Sequence, residues 1–412
     1  MIDMHNRNLL RGALRPFATT LLLLIGAALL ASGATAQERI VVFSERGTPV
    51  IATEILIVAG PANEPEGKEG VAFLAARSVT EPIRPVLDSL GAYLTLAIHK
   101  DALSVTLISA PDVWEEATRV MMVALFRDPP ASSVVQRERA AIRAELAGRQ
   151  TNPADAMSRE ADRAFFGSEH PWGRPAVGTM RSVERLTFAD VTEFLSSHVT
   201  SDRALAVVVG PVDGEHARNH LADFMVGSGH LRVDAPEPVT AKRPIRVEYN
   251  SITTWISASF AFAPEADEEA LRLLAHLTLR ALTTGPDRHL VYNASADVLP
   301  RAGAGELRFQ LVTPPGSAER LGAQIRETVE QLASVRVPDD VWESRLRRYR
   351  GERLQSLRSP DSRANEVARR LLASPASPWL LPDLDGLTQP RMAAAFRALS
   401  EPALVFLGPS LD

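Results

Sequence analysis

Apolar and polar positions alternate in short runs from Arg39 onward. Ile40-Val41-Val42-Phe43, a turn at Glu45-Arg46-Gly47, then Val50-Ile51-Ala52 and Ile55-Leu56-Ile57-Val58 predict a strand pair ending at Gly60. A helix is expected from about Glu69 to Ser78. Leu94, Leu96 and Ile98 alternate up to a turn at Lys100-Asp101, and Leu103, Val105 and Leu107 resume the alternation, as in an antiparallel hairpin with one covered face. Asp112 is placed to cap a helix that turns Trp114, Ala117, Val120, Met121 and Leu125 to the core. Helices over 134–148 and from Asp190 to Ser197 precede the apolar strand Ala204 to Gly210.

The stretch from Val226 to Pro244 has no period and is rich in Gly, Pro and small polar residues, so 227–244 reads as a linker. Beyond it the order repeats. Strands at Ile245–Glu248 and Trp255–Phe262 lead to a helix over about Asp267–Leu282 with Leu271, Leu274, Ala275, Thr278 and Leu279 inward. Strands at 291–298 and 305–312, helices at 317–334 and 339–357, and a strand over Ala403–Leu407 ending at Gly408 complete the second half. Two similar sets of strands and long helices predict an α+β unit built twice, over 37–226 and 245–412, each sheet with one helical cover. The segment 373–391, with Ser374-Pro375, Ser377-Pro378 and Pro382, reads as a long connector.

Composition narrows the function. A chain that is 45% hydrophobic and 23% charged is neither collagen-like nor wholly disordered, and zero Cys excludes disulfides, iron-sulfur clusters and a cysteine nucleophile. The formal net charge of -5 offers nothing global to attract nucleic acid. Arg7, Arg11 and Arg15 before the apolar run Leu21–Leu30, with Ala34-Thr35-Ala36 after it, mark residues 1–36 as a signal peptide, whose cleavage is expected to give a soluble product, periplasmic or otherwise exported, without stable membrane insertion. Removing those three Arg and Asp3 leaves 42 basic and 49 acidic residues, net -7. Basic peptides would be favoured if the acidic residues lined a cavity, but linear order does not place them.

Phosphate-loop, dinucleotide and serine-hydrolase motifs are missing: Gly67-Lys68-Glu69-Gly70 lacks the spaced glycines, and there is no G-x-S-x-G elbow. His216 and His220 are four apart on one helical face, but Ala217-Arg218-Asn219 between them holds no Glu base, and a surface pair without metal is expected. His170 before Pro171-Trp172 has no second histidine nearby and reads as structural.

Several segments in order carry a more specific signal: Asn63-Glu64-Pro65 to Gly70-Val71-Ala72, Gly91-Ala92-Tyr93-Leu94-Thr95, Glu138-Arg139 to Glu145, and His170-Pro171-Trp172-Gly173-Arg174-Pro175 leading to Gly178-Thr179. Asp202, the Val207–Gly210 strand and the run Asp287-Arg288 to Tyr292 follow. Together they resemble the M16 (pitrilysin and insulinase) family of zinc peptidases in its bacterial short form, over nearly the whole mature chain. The resemblance implies two homologous domains forming half of a clamshell. Active members carry an inverted zinc motif, H-x-x-E-H, directly after the glycine that matches Gly70. The matching residues are Phe73, Ala76 and Arg77, with Glu145 at the position of the third ligand, so both imidazoles and the base are replaced. No zinc is expected in this chain, and an ion pair from Arg77 to Glu145 is expected in its place.

In such families a zinc-free chain often pairs with an active one and supplies an Arg and a Tyr to the scissile peptide. The resemblance therefore implies a non-catalytic, peptide-binding partner of an active homologue with an intact inverted zinc motif, the zinc residing in that partner. Tyr292 matches the family tyrosine. Arg288 stands four residues before it, where the family arginine is normally about seven before, so Arg288 either replaces it from another register or the arginine is lost. A stand-alone peptide-binding or structural protein, homodimeric or alone, is the other expectation.

Overall fold

The computed structural model describes residues 39–227, 231, 233, 240–301, 303–373 and 381–410; the expected signal peptide and most of the linker lie outside them. Ten strands form two five-stranded sheets. The first contains β1 (Ile40–Ser44), β2 (Ile51–Ile57), β3 (Tyr93–Ile98), β4 (Leu103–Ser109) and β5 (Ala204–Gly210) in the order β1-β5-β2-β4-β3. The second contains β6 (Ile245–Glu248), β7 (Thr254–Phe262), β8 (Asn293–Leu299), β9 (Gly305–Thr313) and β10 (Ala403–Gly408) in the order β6-β10-β7-β9-β8.

The two orders are the same pattern. In each, the last strand of the half inserts between the first two, parallel to one and antiparallel to the other: Ala206 lies opposite Ile40 and Ile55, and Val405 opposite Ile245 and Ser257. The strand pair expected at each start is therefore split by the closing strand. The fold is α+β, with two similar sheet-plus-helix domains.

The helices of the first half are α1 (Val71–Thr80), α2 (Arg84–Ser89), α3 (Trp114–Phe126), α4 (Ser132–Gly148), α5 (Pro153–Phe166), α6 (Met180–Arg185), α7 (Phe188–His198) and α8 (Gly214–Ala222). Those of the second are α9 (Glu268–Thr284), α10 (Ala318–Ser334), α11 (Asp339–Ser356), α12 (Pro360–Ala373) and α13 (Gln389–Arg397). On one face of the first sheet, Ile51, Ile55 and Ile57 pack with Leu74, Trp114, Met121 and Ile142. On the corresponding face of the second, Ile256, Ala258 and Phe260 pack with Leu271, Leu274, Leu321 and Ile325.

The opposite faces are covered by exchange. Helix α12, from the second half, lays Ala364, Val367, Ala368 and Leu372 on Ala52, Leu56, Leu205 and Val207 of the first sheet. Helix α5, from the first half, lays Ala156, Met157, Ala161 and Ala164 on Val405 and Leu407 of the second. Each half thus supplies the second cover of the other's sheet. Every residue of β2 and β5 is consequently buried, which single-sided cover would not produce.

Three sequence expectations change here. The hairpin β3–β4 has one strand, β4, covered on both faces, because α12 crosses it. Asp112 does not cap α3: the turn 111–113 runs one residue past it, so the helix starts at Trp114 and the N-cap is Val113, without a side-chain bond. In the segment 373–391, residues 374–380 lie outside the described set and Gln389 opens α13, capped by Thr388. Among the described residues no helix is long and apolar enough to cross a membrane.

Candidate functional site

Helix α1 begins at Gly70, whose φ of 93° is left-handed and whose missing Cβ would stand 2.8 Å from the Val177 carbonyl oxygen. The buried Glu64 carboxylate supplies the helix start, accepting the N–H groups of Gly70 and Ala72 at 3.0 Å each through Oε1. Burial pushes this carboxyl up to about 7, more than those two donors hold it down.

One turn further along, α1 presents Phe73, Ala76 and Arg77 toward α4. Ala76 is buried and Phe73 half-buried. The Arg77 guanidinium carbon sits 5.7 Å from the Phe73 ring centroid. Arg77 Nη1 donates to Glu145 Oε1 at 2.5 Å, Nε donates to Glu138 Oε2 at 3.2 Å, and Nη2 lies 3.0 Å from that same Glu138 oxygen. Glu138 and Glu145 are two turns apart on α4, which aligns both with one guanidinium. Arg137 Nε adds a bond to Glu138 Oε1 at 3.0 Å. Burial opposes the Arg77 charge, but the Glu145 and Glu138 carboxylates outweigh it and its pKa rises above the ordinary arginine value.

This donor set does not fit zinc. Phe73 and Ala76 offer no donor atoms, Arg77 is a permanent cation, and both carboxylates are already engaged by it. The cluster is a cross-brace between α1 and α4. The ion pair expected between Arg77 and Glu145 is present; Glu138, which the sequence placed only on the same helical face, is its more buried half.

The described histidines lie apart from one another and in separate surroundings. His216 Nε2 lies 2.8 Å from Glu115 Oε1, and the His220 ring packs 5.3 Å from Trp114 and 5.9 Å from Phe224. His170 is buried against Phe166 and Trp172, with Nδ1 accepting the Trp172 N–H. Among the described residues no group of three or more His, Cys, Asp or Glu is placed to hold a metal.

Arg288 and Tyr292 lie on the opposite domain, at the start of edge strand β8. Tyr292 is 61% exposed and is fixed by its backbone N–H to the Val312 carbonyl at 2.8 Å. Arg288 is exposed in the short turn Arg288–Leu290, and its side chain has no ion pair among the described residues.

Two cavities meet where the halves join. One of about 340 Å³ lies between the β3–β4 and β8–β9 turns and helix α12, lined by Lys100, Arg301, Arg308, Arg369 and Arg370. The other, of about 600 Å³, runs toward the end of α4 and shares Ile98, Lys100, Ser158, Asp162 and Ala176 with the first. A buried ionic chain binds this junction: Lys100 to Asp162 at 2.6 Å, Asp162 to Arg308 at 2.6 Å, Arg308 to Glu306 at 2.6 Å and Glu306 to Arg301 at 2.9 Å. Arg369 joins both hairpin turns, pairing with Asp101 at 2.8 Å and donating to the Pro300 carbonyl at 3.2 Å. Among the charged lining residues cations outnumber carboxylates, six to three in the first cavity and four to two in the second, which is not the pattern of an acidic chamber drawing basic peptides.

Comparison with known proteins agrees with this architecture. Residues 185–348 match the family model described as the peptidase M16 inactive domain. An uncharacterized zinc protease of Mycobacterium leprae is 38% identical over 96 residues, 22% of this chain and 21% of that protein. The matched stretch thus spans about a fifth of the length of that relative. The crystal structure of a peptidase M16 inactive domain from Pseudomonas fluorescens superposes with a TM-score of 0.78 at 18% identity, over 92% of this chain and 98% of that one. A protease structure from Helicobacter pylori gives 0.77 at 16%, over 90% and 96%. Residues 185–348 thus match the M16 inactive-domain model, and the described residues share the fold of the solved M16 inactive domain.

Proposed function

We propose that this chain is a non-catalytic, peptide-binding subunit of an exported zinc endopeptidase, completing the chamber of an active homologous chain. The observation that carries this reading is the Arg77–Glu138–Glu145 brace: the two helices that would hold a metal are joined by a cation and two carboxylates, with no imidazole and no base. The matched fold, kept over nine-tenths of the chain, supports retention of a peptide-binding surface without the chemistry. Zinc held by the partner would supply the activated water, and exposed Tyr292 and Arg288 would hydrogen-bond the scissile carbonyl oxygen from the opposite wall.

Co-expression with an M16 homologue carrying an intact inverted zinc motif tests it. The two chains are expected to copurify and to cleave unfolded peptide only together. Tyr292→Phe and Arg288→Ala are each expected to lower turnover by about tenfold or more. A homodimer that ignores such a homologue would point instead to a stand-alone binding protein.

A further inference from the structure

The larger cavity differs in charge from the chain that contains it. The protein carries a formal net charge of -5, yet four cations and two carboxylates line this cavity. Of the cations, Lys100 is spent on Asp162. Arg149, Arg159 and Arg181 have no ion pair or side-chain hydrogen bond among the described residues, although most of the chain's other arginines are paired. Of the carboxylates, Asp162 is held between Lys100 and Arg308, and Asp155 has one oxygen buried away from solvent.

Three separate elements bring these guanidinium groups to one groove: the end of α4, the middle of α5 and the start of α6. Between them lies a half-buried apolar floor of Leu146, Val177 and Met180. A cleft with low-dielectric walls and one sign of charge concentrates the opposite charge at its mouth. An apolar floor with a guanidinium rim fits an extended polypeptide whose acidic side chains reach the rim while its apolar ones settle below. No Phe, Tyr or Trp lines the groove, so it has no stacking platform for bases.

We infer that this groove selects acidic segments of polypeptide, recognised by Arg149, Arg159 and Arg181. The inference rests on the peptide-binding reading above and gives it a substrate class.

The test uses the full mature chain and three fluorescent peptides alike except at a few positions, which carry glutamate, glutamine or lysine. By fluorescence polarization the glutamate peptide is expected to bind about tenfold more tightly than its lysine twin, with the difference shrinking as salt is raised. The double variant Arg149→Glu/Arg181→Glu changes only exposed side chains and is expected to abolish that preference, the lysine peptide then binding at least as tightly as the glutamate one; Arg159→Gln is expected to weaken it in part. Equal binding of all three peptides, or a preference that survives the charge reversal, overturns the inference and leaves peptide binding intact. Failure of every peptide to bind overturns both. Equal competition by a single-stranded oligonucleotide would show attraction to any polyanion and would also overturn it.

Discussion

At the residue scale, two carboxylates on α4 share one guanidinium but differ in what their loss would do. Glu138 is 5% exposed and Glu145 is 44% exposed. Removing Arg77 leaves Glu138 buried with only Arg137, so Arg77→Ala is expected to cost roughly 2–3 kcal/mol. Glu145→Gln removes a solvated partner and is expected to cost about 0.5 kcal/mol. Urea midpoints of the two variants check this, and equal losses would refute the burial argument. Glu64 gives a pH test. Its folded carboxyl titrates near 7, above the ordinary value of 4.5, so the unfolded chain releases its proton first as pH rises. The stability it contributes is complete below about pH 4.5 and is lost as pH climbs through about 7, by on the order of 3 kcal/mol at most. Glu64→Gln keeps the acceptor for Gly70 and Ala72 while removing the proton, so its melting temperature should flatten over that window relative to the unaltered chain.

At the element scale, the sequence was most readable where a helix or strand buries one face. The strands and the helices α1, α3, α4, α9, α10 and α11 fall within a few residues of the periodicity. The exchanged helices α5 and α12 are absent from the elements the sequence predicts. Their buried faces set five alanines beside Met157, Phe165, Phe166, Val367 and Leu372, so the helical period is present in the sequence, but which sheet it covers is not written in it. The local start signals were there: Asn152 accepts the Ala154 N–H before Pro153, and Ser359 accepts the Ser362 N–H before Pro360. The empty zinc motif could be seen because it needs residue types at fixed spacing. The cationic groove could not, since Arg149, Arg159 and Arg181 meet only after three elements pack. Val367 is fully buried between α12 and the first sheet. Val367→Asp is expected to destabilise by roughly 3–5 kcal/mol, read from denaturant midpoints. A loss below about 1 kcal/mol would mean that α12 is dispensable to that sheet.

At the scale of the whole molecule, exchange of α5 and α12 makes the two sheets depend on each other. The ionic chain from Lys100 through Asp162, Arg308 and Glu306 to Arg301 crosses the same junction and is largely buried. Calorimetry is expected to show one transition, with calorimetric and van't Hoff enthalpies in agreement, despite two separate cores. Two resolved transitions would mean that the halves unfold independently. The interlock also limits how such a chain can diversify. Either half taken alone would bare the strip of sheet that its absent twin normally shields, inviting aggregation. A chain that keeps one lobe and loses the other is therefore expected to be insoluble unless something else shields that strip.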